Sequence, residues 1–200
     1  MASTAITLAI SGASGVPYSL RLLQQLIAAD RQVYLLVSKA GRMVIADETD
    51  FQLPKLNESD AYFQQEFSAS PGQVKLFGLE DWHAPVASGT GISERMVVCP
   101  CSMGMLSSIA CGASNNLIER AADVTLKERK QLVLVPRESP YSEIHLEHML
   151  KLTRMGAVMV DANPGFYYRP NSVESIVDFV VARILDQLQI DHQILPSWGS

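Results

Sequence analysis

Two kinds of apolar pattern alternate along the chain. Ile6 to Ile10, Val33 to Val37, Met96 to Cys99, Gln131 to Val135 and Ala157 to Val160 are short, nearly unbroken apolar runs, which predict strands buried on both faces. Val74 to Phe77 predicts a further strand in a less regular stretch, and the Met96 run is expected to stop at Pro100. Between these runs the apolar positions recur every three or four residues. Leu20, Leu23, Leu26 and Ile27 line one face of a helix whose first turn carries Pro17, a favoured place for proline. Ser38 and Ser102 stand where they cap the next turns of helix, the second bearing Met103, Leu106 and Ile109. Further helices are predicted over Asp60–Phe67, Asn116–Glu128, Tyr141–Met155 and Ser172–Leu188. Buried strands separated by helices imply an α/β fold, a three-layer doubly wound parallel sheet. No repeat or linker interrupts residues 1–200, so a single domain is expected. The apolar end, Ile194 to Trp198, implies that residues 190–200 pack on their own body or on a neighbouring subunit.

Composition narrows the function classes. Of 200 residues 48% are hydrophobic and 18% charged, and the net charge is −5. That balance suits a globular protein and argues against a nucleic-acid surface, which concentrates Lys and Arg. No apolar run approaches the roughly 18 residues of a membrane span. The start of the chain lacks the basic and apolar regions of a signal peptide, so the expected location is the cytoplasm. Cys99, Cys101 and Cys111 read as free thiols, since Cys99-Pro-Cys101 is neither a zinc nor a redox spacing. His145 and His148 share a helix face with no third ligand, so no metal is expected.

Ligands of doubly wound sheets bind beyond the carboxyl ends of the strands. Ser11-Gly-Ala-Ser-Gly15, Ser38, Pro100-Cys-Ser102, Pro136-Arg-Glu138 and Pro164-Gly-Phe-Tyr167 all follow strands. The glycine turn leads into a helix N-terminus whose N–H groups suit an anion, although it is neither a three-glycine dinucleotide fingerprint nor a P-loop. Arg120 and Lys127 are two helical turns apart, and Arg137 ends a buried strand. Three cations on separate elements suit a phosphate; a solvated charged face is the plainer reading of Lys127 to Lys130. Glu138 is the best acid–base candidate. Its neighbour Arg137 favours the carboxylate, whereas a bound phosphate favours the proton-donating form. Glu48, at the end of the second helix, is a weaker candidate. Trp82 and Trp198 offer π faces to a cation, or simply packing area.

Beyond these features, Ile10 to Gly15, Leu36 to Ala40, Asp47 to Asp50, Asp81-Trp82, Ala87 to Gly89, Cys99 to Ser102, Asn115 to Asp123, Leu126 to Arg129, Leu132 to Glu138 and Pro164 to Tyr167 resemble the UbiX-type flavin prenyltransferases. The likeness spans essentially the whole chain, and its most specific blocks are Arg120-Ala-Ala-Asp123 and Val135-Pro-Arg-Glu138. It implies a flavodoxin-like (Rossmann-like) fold, a homododecamer, reduced FMN as co-substrate, dimethylallyl monophosphate as donor and no metal. It implies FMN contacts at Ala13, Ser14, Gly15, Ser38, Ser102, Met103, Gly104, Met105 and Arg137. The prenyl phosphate falls to Arg120, Lys127, Arg137, Glu138, Tyr167 and Arg183, some of them from a different subunit. Glu138, Ser14, Glu48, Trp82 and Trp198 carry the chemistry, and the prenylated FMN serves a UbiD-type decarboxylase, often in ubiquinone synthesis. Two rivals share the fold: an FMN-dependent cysteine-type decarboxylase, for which His83 would be the nearby histidine, and a non-enzymatic FMN carrier.

Overall fold

Alternate residues of each central strand face opposite layers, and this division organises the core. The computed structural model describes residues 5–195. In chain order the elements are β1 Ile6–Ile10, α1 Val16–Ala28, β2 Val33–Val37, α2 Lys39–Glu48, α3 Ser59–Phe67, β3 Val74–Phe77, β4 Arg95–Cys101, α4 Met103–Ala110, α5 Leu117–Lys127, β5 Gln131–Pro136, α6 Glu143–Arg154, β6 Val158–Met159 and α7 Val173–Gln187. Short 3₁₀ turns occupy Leu56–Glu58 and Pro85–Ala87. Ile6, Leu8 and Ile10 with Val33, Leu35 and Val37 pack against α1, α2, α3 and α7. Ala9, Tyr34, Leu36, Met96 and Val98 pack against α4, α5 and α6.

All paired strands are parallel, in the order β3-β2-β1-β4-β5-β6. With β3 set aside as an added edge strand, the remaining five follow the flavodoxin order; with β3 included, the order is that of dinucleotide-binding sheets. In both descriptions the switch point lies between β1 and β4. The loops leaving those two strands therefore diverge to opposite faces and open a crevice.

Helix starts follow the side chains that cap them. Ser38 accepts from Gly41 N, Ser102 from Met105 N, Asn116 from Ile118 N and Glu119 N, Ser142 from His145 N and Ser172 from Ser175 N. Each such cap stabilises its helix by about 1 kcal/mol. His145 completes a capping box with Ser142. No group of His, Cys, Asp and Glu suited to a metal occurs among the described residues, and no helix there is long and apolar enough to cross a membrane.

Some element ends move by one or two residues from the sequence expectation, as in β6, which keeps only Val158–Met159, and α6, which starts at Glu143; the end of β4 changes more than a boundary. β4 does not stop at Pro100 but continues to Cys101, which pairs with Pro136 across a register shift after Val98. Proline cannot donate to the ladder, and the result here is a bulge rather than a stop. The shift turns Cys101 toward the same layer as Val98, while Cys99 faces the other. Burial pushes the Cys99 thiol up to about 12 and raises Cys101 as well, so neither is a nucleophile. Brief alkylation of the folded protein is expected to label the exposed Cys111 and spare Cys99 and Cys101 until denaturant is added. Peptide mass mapping before and after urea reads the difference, and rapid native labelling of Cys99 would contradict it.

Candidate functional site

The crevice is built around Ser11, which is buried at the end of β1. Its hydroxyl donates to Pro100 O at 2.8 Å and accepts from Ser102 N at 2.8 Å. The loops after β1 and β4 are thereby locked together at the switch point. Gly12 brings the first loop against the start of α2: a Cβ there would overlap that of Ala40. Ser38 N in turn donates to Ile10 O at 2.9 Å. Three helix N-termini, of α1, α2 and α4, thus converge on one rim.

They do not offer the same chemistry. Gly15, with φ of 120°, opens α1 without a capping side chain of its own. Glu48 reaches across from the end of α2 and accepts from Gly15 N and Val16 N, each at 2.9 Å. The sequence pattern suggested that this helix end awaits a ligand anion; the protein's own carboxylate fills it. Burial pushes the Glu48 carboxyl up, but hydrogen bonds from the Ser14 hydroxyl, Gly15 N and Val16 N, with the nearby Arg137 charge, outweigh it. The group is held below its ordinary 4.5. A carboxyl depressed on folding stabilises the protein above 4.5 and loses that contribution as pH falls through its folded value. Glu48→Gln is expected to cost about 1–2 kcal/mol at neutral pH, the size of a charge-assisted bond at a helix start. The deficit shrinks below pH 4.5. Urea unfolding at neutral and acid pH measures it; a deficit that does not vary with pH would contradict the account.

At α4, Ser102 takes Met105 N at 3.3 Å. The amides of Met103 and Gly104 have no bond among the described residues, as expected at a helix start. A Cβ on Gly104 would meet nothing within 4 Å. This open, donor-lined position fits the phosphate of a mononucleotide, with Ser38 and the Ala13–Gly15 loop beside it. Arg137 stands above that loop, its Nε donating to Ser14 O at 3.2 Å and its backbone N to Cys101 O at 3.3 Å. Half-buried Glu138 follows, with Oε1 accepting from Ser139 N at 3.0 Å.

The structure therefore brings together Ala13, Ser14, Gly15, Ser38, Glu48, Ser102, Met103, Gly104, Met105, Arg137 and Glu138. It sets the other expected phosphate contacts apart. Arg120 and Lys127 lie on α5, in the layer of α4 and α6. Arg120 Nε donates to Ala87 O at 3.0 Å and its Nη1 pairs with Asp123, while Lys127 pairs with Glu128 beside Gly89. Exposed Trp82 belongs to the loop that leads into this group. Arg183 lies on α7, across the sheet, and pairs with Asp186 at 2.6 Å. Tyr167 is exposed, with its ring against Tyr168 and Phe179. His83 is exposed too, with its N–H on Asp81. Trp198 lies outside the described residues.

Two residues at the crevice had not been singled out. Ser11 is one. The other is Tyr18, one turn into α1, whose ring packs against Gly15. Burial and the Cys99 and Glu48 charges raise its phenol, and Arg137 opposes them. Its position just after a glycine turn was the available signal.

A doubly wound sheet with donors at its switch point, one helix start open and a cation overhead, defines a mononucleotide-binding α/β protein. A sequence profile described as Flavoprotein matches residues 1–185. The chain is 57% identical over 195 residues to a protein of Pseudomonas aeruginosa named flavin prenyltransferase UbiX, covering 97% of this chain and 93% of that one. It is similar to a crystal structure of AnUbiX (PadA1) in complex with FMN and dimethylallyl pyrophosphate, at a TM-score of 0.87 and 36% identity over 98% of this chain and 97% of that one. A dodecameric FMN-dependent UbiX-like decarboxylase from Escherichia coli O157:H7 superposes with a TM-score of 0.86 and 38% identity, over 98% of this chain and 100% of that one. The chain belongs to the flavin prenyltransferase family of flavoproteins.

Proposed function

We propose that this protein transfers a dimethylallyl group from dimethylallyl monophosphate to N5 and C6 of reduced FMN, with the prenylated flavin passing to a UbiD-type decarboxylase, as in ubiquinone synthesis. The observation that carries this reading is the cluster of Arg137, Ser14 and Glu48 beside the open start of α4, in a chain 57% identical to a flavin prenyltransferase. Bound FMN supplies two nucleophilic positions, N5 and C6, on one edge of its ring. The α4 amides, Ser38, Ser102 and the Ala13–Gly15 loop hold its phosphate and orient that edge. As the allylic C–O bond breaks, the phosphate keeps the electron pair. Arg120, Lys127 and Arg137 stabilise its growing charge, and Glu138 donates a proton to it. Tyr167 and Arg183 steady the same phosphate. Trp82 and Trp198 face the allylic cation and keep water from it. Joining the first allyl carbon to N5 would release the N5 proton, and closure of the tertiary carbon onto C6 would need a proton delivered to the middle allyl carbon and the C6 proton removed; Ser14, Glu138 or the released phosphate would move these protons, while Glu48 fixes the Ser14 turn.

Arg120 and Arg183 lie on helices on opposite faces of the sheet, so one chain does not assemble this set. We read the site as shared between subunits of a homododecamer. Each chain is one prenyltransferase domain, and residues 190–200 close on their own or a neighbouring subunit. Ile194 and Leu195 lie against the chain's own core, in keeping with the first option. Free cysteines suit a reducing cytoplasm. The test is anaerobic: protein, reduced FMN and dimethylallyl monophosphate are mixed and the flavin is weighed by mass spectrometry. A flavin heavier by one five-carbon isoprenyl unit supports the reading; an unmodified flavin with tight FMN binding would sink it in favour of a carrier.

A further inference from the structure

The opposite rim of the sheet, where the strands begin, carries a second concentration of charge. A cavity of about 690 Å³ opens there, lined by Arg31, Glu94, Arg95, Arg129, Lys130 and Gln131 among others. These residues come from separate segments held in register: Arg95 pairs with Ile6 on one side and Gln131 on the other. Arg129 and Lys130 form the turn that closes α5, with their amides on Leu126 O and Thr125 O. Strand β4 alone separates this rim from Ser102 by about 20 Å, at roughly 3.3 Å per residue. The cavity is thus distinct from the flavin crevice.

The charges around it are not balanced. Lys130 pairs with Glu94, and among the described residues no other carboxylate lines the cavity. Among the described residues the Arg95 side chain has only a neutral partner, the Gln189 side-chain carbonyl at 2.9 Å. Arg129 makes no side-chain hydrogen bond or ion pair among the described residues. The Nε of Arg31 is buried without a hydrogen-bond partner among the described residues. A buried donor left unmet is costly, and three guanidinium groups around one depression repel one another. Yet the chain as a whole has net charge −5. Guanidinium forks match tetrahedral oxyanions, and three of them on three segments suit a ligand with more than one phosphate group.

We propose that this amino-terminal rim is a second binding site, taking a phosphorylated small molecule whose diphosphate oxygens are met by Arg31, Arg95 and Arg129. It is independent of the prenyl-transfer chemistry. Its test is a calorimetric titration of the FMN-loaded protein with inorganic pyrophosphate at fixed ionic strength, with sulfate as the comparison anion. Because the prenyl phosphate contacts also attract such anions, the titration is repeated in an Arg120→Ala, Lys127→Ala background. Saturable binding is expected to survive in that background. It is expected to weaken about tenfold or more in Arg129→Gln, whose exposed side chain can be changed without disturbing the core. The conservative Arg31→Lys, which keeps the charge and loses the fork, is expected to weaken binding less, and both variants keep full prenyl transfer. The proposal is overturned by any of three outcomes: no saturable binding in the unaltered protein, equal affinity in Arg129→Gln, or binding that vanishes with Arg120 and Lys127. Sulfate matching pyrophosphate would overturn it too, since that would reflect screening alone.

Discussion

Glu138→Gln is expected to hold FMN as well as the unaltered chain and to transfer the prenyl group about 10²–10⁴-fold more slowly, the usual contribution of a positioned acid. The substitution keeps the side chain's volume. Its amide oxygen can still accept from Ser139 N, the contact that now holds Glu138 at the end of β5. Fold and flavin crevice are therefore left intact, and the change falls on the proton. An inorganic phosphate that departs without a proton leaves with a full extra charge, which the three proposed cations alone would have to absorb. Single-turnover experiments under anaerobic conditions separate the steps, because flavin binding and prenyl transfer give different spectral changes. An unchanged transfer rate would remove Glu138 from the proton role; loss of flavin binding would place it in the cofactor site instead.

Much of the fold is legible in the sequence because burial on both faces leaves a strong mark. Leu35-Leu36-Val37 and Val133-Leu134-Val135 have no polar residue to spoil the run, and both are strands. The caps at Ser38 and Ser102 were legible for a similarly local reason: the hydroxyl acts on an N–H group three residues away. What stayed hidden depends on distant partners. Glu48 lies more than thirty positions from the N–H groups it caps, so no periodicity points to that role. Ser11 joins β1 to a loop ninety residues on. The continuation of β4 beyond Pro100 needed its neighbour β5, whose Pro136 pairs with Cys101. The phosphate contacts show a third limit. Arg120, Lys127, Tyr167 and Arg183 stand out by motif, yet one folded chain spreads them over both faces of its sheet. A motif marks which residues stand out, not whether one subunit brings them together.

Arg137→Ala is expected to have the broadest effect of any single change at the rim, lowering transfer by about 10²–10³-fold, as for removal of one preorganised charge stabiliser. Arg137 is exposed and its backbone bond to Cys101 O does not need the side chain, so stability should move by only about 0.5 kcal/mol. Three functions end together. The guanidinium no longer fixes the Ser14 turn, Glu48 loses one of the influences holding it ionised, and the phosphate loses a cation. Flavin affinity should therefore fall along with the rate, whereas Arg120→Ala should slow transfer and leave flavin binding intact. The two variants also test whether the site is shared. Each variant alone is expected to keep only a small part of the activity. If Arg120 and Arg137 reach one flavin from different subunits, dissociating and reassembling the two variants together regenerates some sites that hold both arginines, and part of the activity returns. If both arginines come from the same chain, every site in the mixture lacks one of them. Activity that stays at the level of the separate variants, in mixed oligomers verified by mass, would defeat a site that takes Arg120 and Arg137 from different subunits.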